Sequence, residues 1–159
     1  MSLKNLSLGE VCELRMGFAF QKNKYRDKGL PILRVTDIHN NKINSEKLVY
    51  FDPSDYPNNI EFALINIGDI FVSWIGTIGK VGWNQTNSSI YLKHGLFALI
   101  PNEELLNKRY LFHWLINNQE KINSTLVGVG AIPYLDINKF KKLIISLPSL
   151  SEQNSKDIR

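Results

Sequence analysis

Residues 68–83 run Gly68-Asp69-Ile70-Phe71-Val72-Ser73-Trp74-Ile75-Gly76-Thr77-Ile78-Gly79-Lys80-Val81-Gly82-Trp83. Gly68-Asp69 is turn chemistry. Ile70-Phe71-Val72-Ser73-Trp74 is a β-branched and aromatic run of strand length. Gly76, Gly79 and Gly82 then punctuate Ile78, Val81 and Trp83, a spacing that suits a tight hairpin built on glycine torsions. A phosphate loop is excluded. The Walker pattern Gly-x-x-x-x-Gly-Lys-Ser/Thr would need glycine at Trp74 and a hydroxyl residue at Val81. Glycines at every third residue also fail the dinucleotide-binding pattern Gly-x-Gly-x-x-Gly.

Outward from this hairpin the chain is mostly strand and turn. On the N-terminal side, Leu30-Pro31-Ile32-Leu33-Arg34-Val35-Thr36-Asp37-Ile38 alternates from Ile32 and predicts a strand, with Pro31 tolerated at its start. A short strand is expected near Leu48-Val49-Tyr50-Phe51, followed by turn residues Asp52-Pro53-Ser54-Asp55-Tyr56-Pro57. Ser7-Leu8-Gly9-Glu10 has the capping-box form and predicts a helical turn through Val11. Towards the C-terminus a strand pair is expected at residues 89–93 and 96–100. Helical spacing begins after Pro101-Asn102, with Asn102 as cap. Leu105, Leu106, Tyr110, Leu111, Trp114, Leu115 and Ile122 mark one apolar face. Gly128-Val129-Gly130 interrupts it. Asp136 caps a short helix through Lys142, ahead of the strand Leu143-Ile144-Ile145-Ser146-Leu147, which Pro148 ends. The expected class is α+β: a strand-rich, twisted mixed sheet with one long helix and short flanking helices.

Composition narrows the function. The 159 residues are 43% hydrophobic and 21% charged, a globular composition. No apolar run approaches the ~18 residues that cross a bilayer, and the first residues lack a signal-peptide core, so a cytoplasmic protein is expected. The net charge is +4. Residues 1–42 carry eight basic and four acidic side chains, residues 43–79 one and five, and residues 80–159 ten and six. Two basic stretches thus flank an acidic middle. If the fold joins them, the local field exceeds what the total suggests. No catalytic or metal constellation is evident. His39, His94 and His113 lack ligand spacing, and Cys12 reads as a small buried side chain. Neither a cofactor nor a metal is expected. The three tryptophans, Trp74, Trp83 and Trp114, read as core.

The chain resembles one target-recognition domain of the DNA specificity subunits of type I restriction–modification systems. The likeness spans residues 8–153. Leu8-Gly9-Glu10-Val11 through Gly17 is similar to the family's opening. Gly29-Leu30-Pro31-Ile32-Leu33-Arg34-Val35-Thr36-Asp37-Ile38 resembles its Gly-Ile/Leu-Pro-x-Ile/Leu-Arg segment. Gly68-Asp69-Ile70 with Gly76-Thr77-Ile78-Gly79-Lys80 matches its glycine hairpin. Ile144-Ile145-Ser146-Leu147-Pro148-Ser149-Leu150-Ser151-Glu152-Gln153 matches its closing segment, with Ser146 and Ser149 where proline is usual. The resemblance assigns residues 1–150 to recognition and 151–159 to the root of a coupling helix, and it implies a truncated product, a half-subunit or a trimmed piece. With that helix missing, little self-association is expected.

What the resemblance implies is a non-catalytic reader of one half of a bipartite duplex DNA target. Methyltransferase and restriction subunits, and a second specificity half or recognition domain, are the implied partners; a membrane is not. The alternative is an assembly module that binds methyltransferase subunits without reading DNA. A duplex reader needs basic side chains on phosphates and polar side chains on base edges. The loop Gln21, Lys22, Asn23, Lys24, Tyr25 and Arg26 offers both. Arg34 and Thr36 at a strand end are further candidates, and Arg34 serves equally well as a buried pair partner. Lys80 at the hairpin tip suits a phosphate or a base contact, the polar run from Asn84 and Gln85 is a candidate base-reading loop, and Lys93 with His94 near the following turn are further candidates. Lys139, Lys141 and Lys142 suit phosphate anchoring, or a solvated helix face.

Overall fold

The structure, a computed structural model, describes residues 3–125 and 133–155. Strand β1 (Lys4–Ser7) leads into one helical turn, α1 (Leu8–Val11). The Glu10 carboxylate turns back to accept from the Ser7 amide at 3.1 Å, as the Ser-x-x-Glu spacing predicts. β2 (Cys12–Met16) and β3 (Leu30–Leu33) follow. The strand expected to reach Ile38 stops at Leu33, and a 3-10 turn over Val35–Asp37 takes its place. The cause is local: the Asp37 carboxylate accepts from the Arg34 amide at 2.9 Å and curls the chain. Next comes a hairpin of β4 (Ile38–His39) and β5 (Lys42–Ile43). Its Asn40 and Asn41 sit at φ 51° and 63°, the positive pair that a two-residue hairpin turn requires and asparagine tolerates. β6 (Val49–Phe51), β7 (Leu64–Ile65), β8 (Ile70–Ser73), β9 (Val81–Trp83), β10 (Ile90–Leu92) and β11 (Leu96–Pro101) complete the strand-rich part.

The expected long helix is divided. Asn102 caps only a turn, accepting from the Glu104 amide at 3.1 Å. Asn107 caps the helix itself, its Oδ1 accepting from Arg109 N at 2.8 Å and Tyr110 N at 3.1 Å, and α2 spans Lys108–Asn117. Asn118 donates its side-chain amide back to Trp114 O at 2.8 Å and separates α2 from α3 (Gln119–Thr125). Asp136 caps α4 (Ile137–Lys141), accepting from Lys139 N at 3.1 Å. β12 (Ile144–Leu147) pairs antiparallel with β1, and α5 (Leu150–Ser155) starts beyond Pro148. The break expected at Gly128–Gly130 and the helix root beyond Ser155 lie outside the described residues.

Two four-stranded sheets stack. One is ordered β2-β11-β8-β9 and is antiparallel; the other is β6-β3-β10-β7, with β3 and β10 parallel. The strands expected to pair with each other, β10 and β11, therefore belong to different sheets. Gly95 at φ 108° turns the chain from one into the other. In β11, Phe97 and Leu99 face the helices while Leu96 and Ala98 face the second sheet; in β8, Ile70 and Val72 take the first side and Phe71 the second. Burial on both faces is why these strands read as unbroken apolar runs. Outside the second sheet lies a cluster of Phe20, Ile32, Phe51 and Ile60, with the aromatic rings of Tyr25, Tyr56 and Tyr91 against it. Trp74 and Trp114 are partly buried, but Trp83 is 38% exposed because β9 is an edge strand.

Candidate nucleic-acid interface

The parallel strands β3 and β10 end side by side, and their ends gather segments distant in sequence. Lys93 N donates to Leu33 O at 2.9 Å, Phe18 N to Leu92 O at 2.9 Å and His94 N to Phe18 O at 2.8 Å. Gly17 is needed for this approach, since a Cβ there would collide with the Lys93 carbonyl. Trp74 N donates to Gly95 O at 2.9 Å and brings in the turn after β8. Arg34, Thr36, Lys80, Lys93 and His94 thereby meet at one end of the molecule.

Their surroundings differ. Arg34 is tied inward: Nε and Nη2 donate to Asp37 at 3.0 and 2.9 Å, and Nη2 donates to Lys47 O at 2.9 Å. The Asp37 side chain is 3% exposed against 27% for Arg34, so the pair is closed from one side only. Lys80, expected at an open hairpin tip, instead reaches back and donates from Nζ to Val35 O at 3.3 Å and Ile38 O at 3.2 Å. Within residues 34–38 only Thr36 is exposed. Lys93 donates to the Tyr25 hydroxyl at 2.5 Å with its ammonium 5.1 Å from the ring centroid, and Arg34 stacks over the same ring at 5.9 Å. His94 is exposed and edge-on to Trp74 at 5.5 Å.

The loop 21–26 forms a flank on the cluster around Phe20 and Phe51. Its Gln21 amide donates to the Tyr56 hydroxyl at 2.9 Å, and Lys24 lies 5.1 Å from the Tyr56 ring centroid. Arg26 donates to Asp55 from Nε at 3.1 Å and Nη2 at 2.8 Å. The backbone is thus fastened while the side chains of Gln21, Lys22 and Asn23 are exposed.

The remaining candidates lie elsewhere. Asn84, expected on an exposed polar run, is buried, because its amide completes a loop: Nδ2 donates to Asn66 O at 3.3 Å and Ser88 O at 2.9 Å, and Oδ1 accepts from Thr86 N at 3.1 Å. Gln85 pairs as a strand would, donating to Ile43 O at 2.8 Å and accepting from Ile43 N at 3.1 Å. Lys139, Lys141 and Lys142 are exposed. Lys141 packs on Gly9 of α1, at the Cys12–Pro101 end of the first sheet, opposite the gathered residues. Sequence reasoning missed the exposed His39, Asn40 and Lys42 on the β4–β5 hairpin. The Asn40-Asn41 step was the available signal.

No group of three His, Cys, Asp or Glu side chains converges to hold a metal among the described residues. Cys12, expected to be buried, is only partly so, yet desolvation still pushes its thiol up to about 12, which leaves it protonated and a poor nucleophile at neutral pH. Nor is any helix of the described residues long and apolar enough to cross a membrane.

Hydroxyl, imidazole and ammonium groups thus gather at one end of a strand-rich domain. The chain belongs to the type I restriction modification DNA specificity domain family, which it matches over residues 3–156. Domains of that family are recognition components and not enzymes. Among solved structures, one from a type I restriction–modification system, described for its complex assembly and conformational transition, superposes with a TM-score of 0.75 at 20% identity, covering 96% of this chain and 36% of that one. The HsdS subunit from Thermoanaerobacter tengcongensis gives 0.71 at 20% identity, covering 96% and 35%. The S subunit from M. genitalium gives 0.67 at 17% identity, covering 98% and 37%. At these identities the likeness is one of fold, and the chain spans about a third of each structure. No protein of curated function matches the sequence.

Proposed function

We propose that this chain reads one half of a bipartite duplex DNA target as the specificity component of a type I restriction–modification system. Residues 1–150 form the reading domain, and 151–159 lead to a second recognition domain or half-subunit. Methyltransferase and restriction subunits assemble on it, in the cytoplasm. The observation that supports this most is the convergence of Thr36, Lys93 and His94, with Lys93 bonded to Tyr25 of the loop that exposes Gln21, Lys22 and Asn23. Together these offer polar groups for base edges and ammonium groups for phosphates.

The test is selection from a randomised duplex library on the full chain. A defined half-site is expected to emerge. If Lys22, Lys24 and Lys93 each neutralise a phosphate, log affinity falls against log salt with a slope of about −3. Equal retention of all duplexes, or binding without salt dependence, refutes the reading.

A further inference from the structure

We infer that Thr36 is a specificity-determining residue, presented to a base edge on a turn that Arg34, Asp37 and Lys80 hold rigid. This rests on the duplex-reading function proposed above and refines it. The turn is over-determined. Asp37 is buried and accepts from the Arg34 amide at 2.9 Å and from both ends of its guanidinium fork at 3.0 and 2.9 Å. Lys80 binds the carbonyls that flank the turn, Val35 O at 3.3 Å and Ile38 O at 3.2 Å. Below it, Val35 meets Gly95, where a Cβ would come within 3.6 Å of Val35 Cγ2. Every charged side chain of the turn is consumed by the turn itself.

The hairpin that supplies Lys80 is itself anchored. Ser73 Oγ donates to Thr77 O at 2.6 Å and accepts from Lys80 N at 2.9 Å. Gln119 of α3 donates to Gly79 O at 2.5 Å, and Asn123 of α3 fills the space where a Gly79 side chain would stand.

What this frame leaves outward is Thr36, exposed, with exposed His94 on the adjoining β10 end. A threonine offers a hydroxyl that donates or accepts and a methyl that packs on the thymine methyl, so it can discriminate base pairs in the major groove. A side chain on a stiff turn discriminates better than one on a mobile loop, because it cannot relax to suit the wrong base. Arg34 and Lys80 are positioning residues in this account and carry no phosphate.

The test uses the full chain and its Thr36→Ala, Lys80→Met and Lys80→Arg variants, each read on the randomised duplex library and in salt titrations. Thr36→Ala should relax preference at one target position by about fivefold to tenfold, leaving other positions and the salt slope unchanged. Lys80→Met should relax the same position with the salt slope unchanged, and Lys80→Arg should restore the preference. Three results overturn the inference: an unaltered preference in Thr36→Ala, a uniform loss of affinity across sequences, or a slope reduced by about 0.9 in Lys80→Met, the mark of a lost phosphate contact. A parent chain without sequence preference overturns duplex reading itself, and this assignment with it.

Discussion

Replacing Asp37 by asparagine removes one charge and keeps the shape. The parent carboxylate accepts from Arg34 N, Nε and Nη2 at 2.9, 3.0 and 2.9 Å. Asparagine retains one oxygen and turns an amide N–H towards a guanidinium that can only donate. Breaking a fully buried pair costs about 3–5 kcal/mol. Arg34 keeps 27% of its side chain in solvent, so water recovers part of that. The loss is then about 2 kcal/mol, in the range for hydrogen bonds to charged groups. For a domain of this size that is a fall of about 4–8 °C in Tm. Urea and thermal unfolding of the parent, Asp37→Asn, Arg34→Met and the double variant would close a cycle, with a coupling of at least about 1 kcal/mol expected. A Tm within about 1 °C of the parent, or zero coupling, refutes the claim that this pair organises the turn.

Gln153 fastens α5, donating to Leu105 O at 2.9 Å and Pro148 O at 3.0 Å and accepting from Asn107 N at 2.8 Å while only 2% exposed. Gln153→Ala should cost about 2–3 kcal/mol and raise amide exchange in α5 first; unchanged exchange there contradicts it. Cys12 is only partly buried, but its thiol is held protonated, so it should react with iodoacetamide at pH 8 more slowly than a free cysteine, and urea should accelerate labelling. Half-buried His113 has its pKa lowered by burial and then by Arg109. The unfolded chain therefore takes up this proton first, and stability falls as pH drops through the unfolded value near 6.5. His113→Gln should flatten the pH 7 to 5 stability profile; an unaltered profile excludes His113 as its source. Neutralising Lys22 should reduce the salt slope of duplex binding by about 0.9, and an unchanged slope removes Lys22 from the phosphate contacts.

Strands buried on both faces were legible, since β11 and residues 70–72 of β8 carry apolar residues on both faces. So were the caps at Ser7 and Asp136, whose partners lie within one turn. Partnership between strands was not. Nothing local says that residues 89–93 pair with β3 and residues 96–100 with β2 and β8; that follows from packing one sheet on another. The strand expected to reach Ile38 failed because one carboxylate, Asp37, outweighed β-branched alternation. The helix expected from Asn102 failed because three asparagines, Asn102, Asn107 and Asn118, all had side chains able to cap or break, and only packing chose among them. Among the site residues, the exposure of Lys22 and Asn23 was readable from a polar loop. The burial of Asn84 was not, because a polar residue in a loop gives no sign that it will serve as the loop's internal scaffold.

The residues that carry the family resemblance and the residues open to a ligand are largely different sets. Arg34, Asp37 and Ile38 from one motif and Gly79 and Lys80 from another are joined through Lys80 to the Val35 and Ile38 carbonyls, and none offers a free charged group. The same internal pairing redistributes charge. Arg26 is matched by Asp55, Arg34 by Asp37 and Lys108 by Asp69. The acidic middle of the sequence therefore does not stand apart from the basic stretches: Asp55 and Asp69 neutralise cations from either side of it. Arg26 and Arg34 thus serve the fold, while of the lysines proposed for phosphates Lys22 is exposed, Lys24 lies over the Tyr56 ring and Lys93 bonds the Tyr25 hydroxyl. Lysine holds a phosphate as a point charge without the directional fork of arginine. On the proposed duplex-reading function, a lysine-bearing surface would fix register loosely through phosphates and leave discrimination to exposed polar side chains such as Thr36.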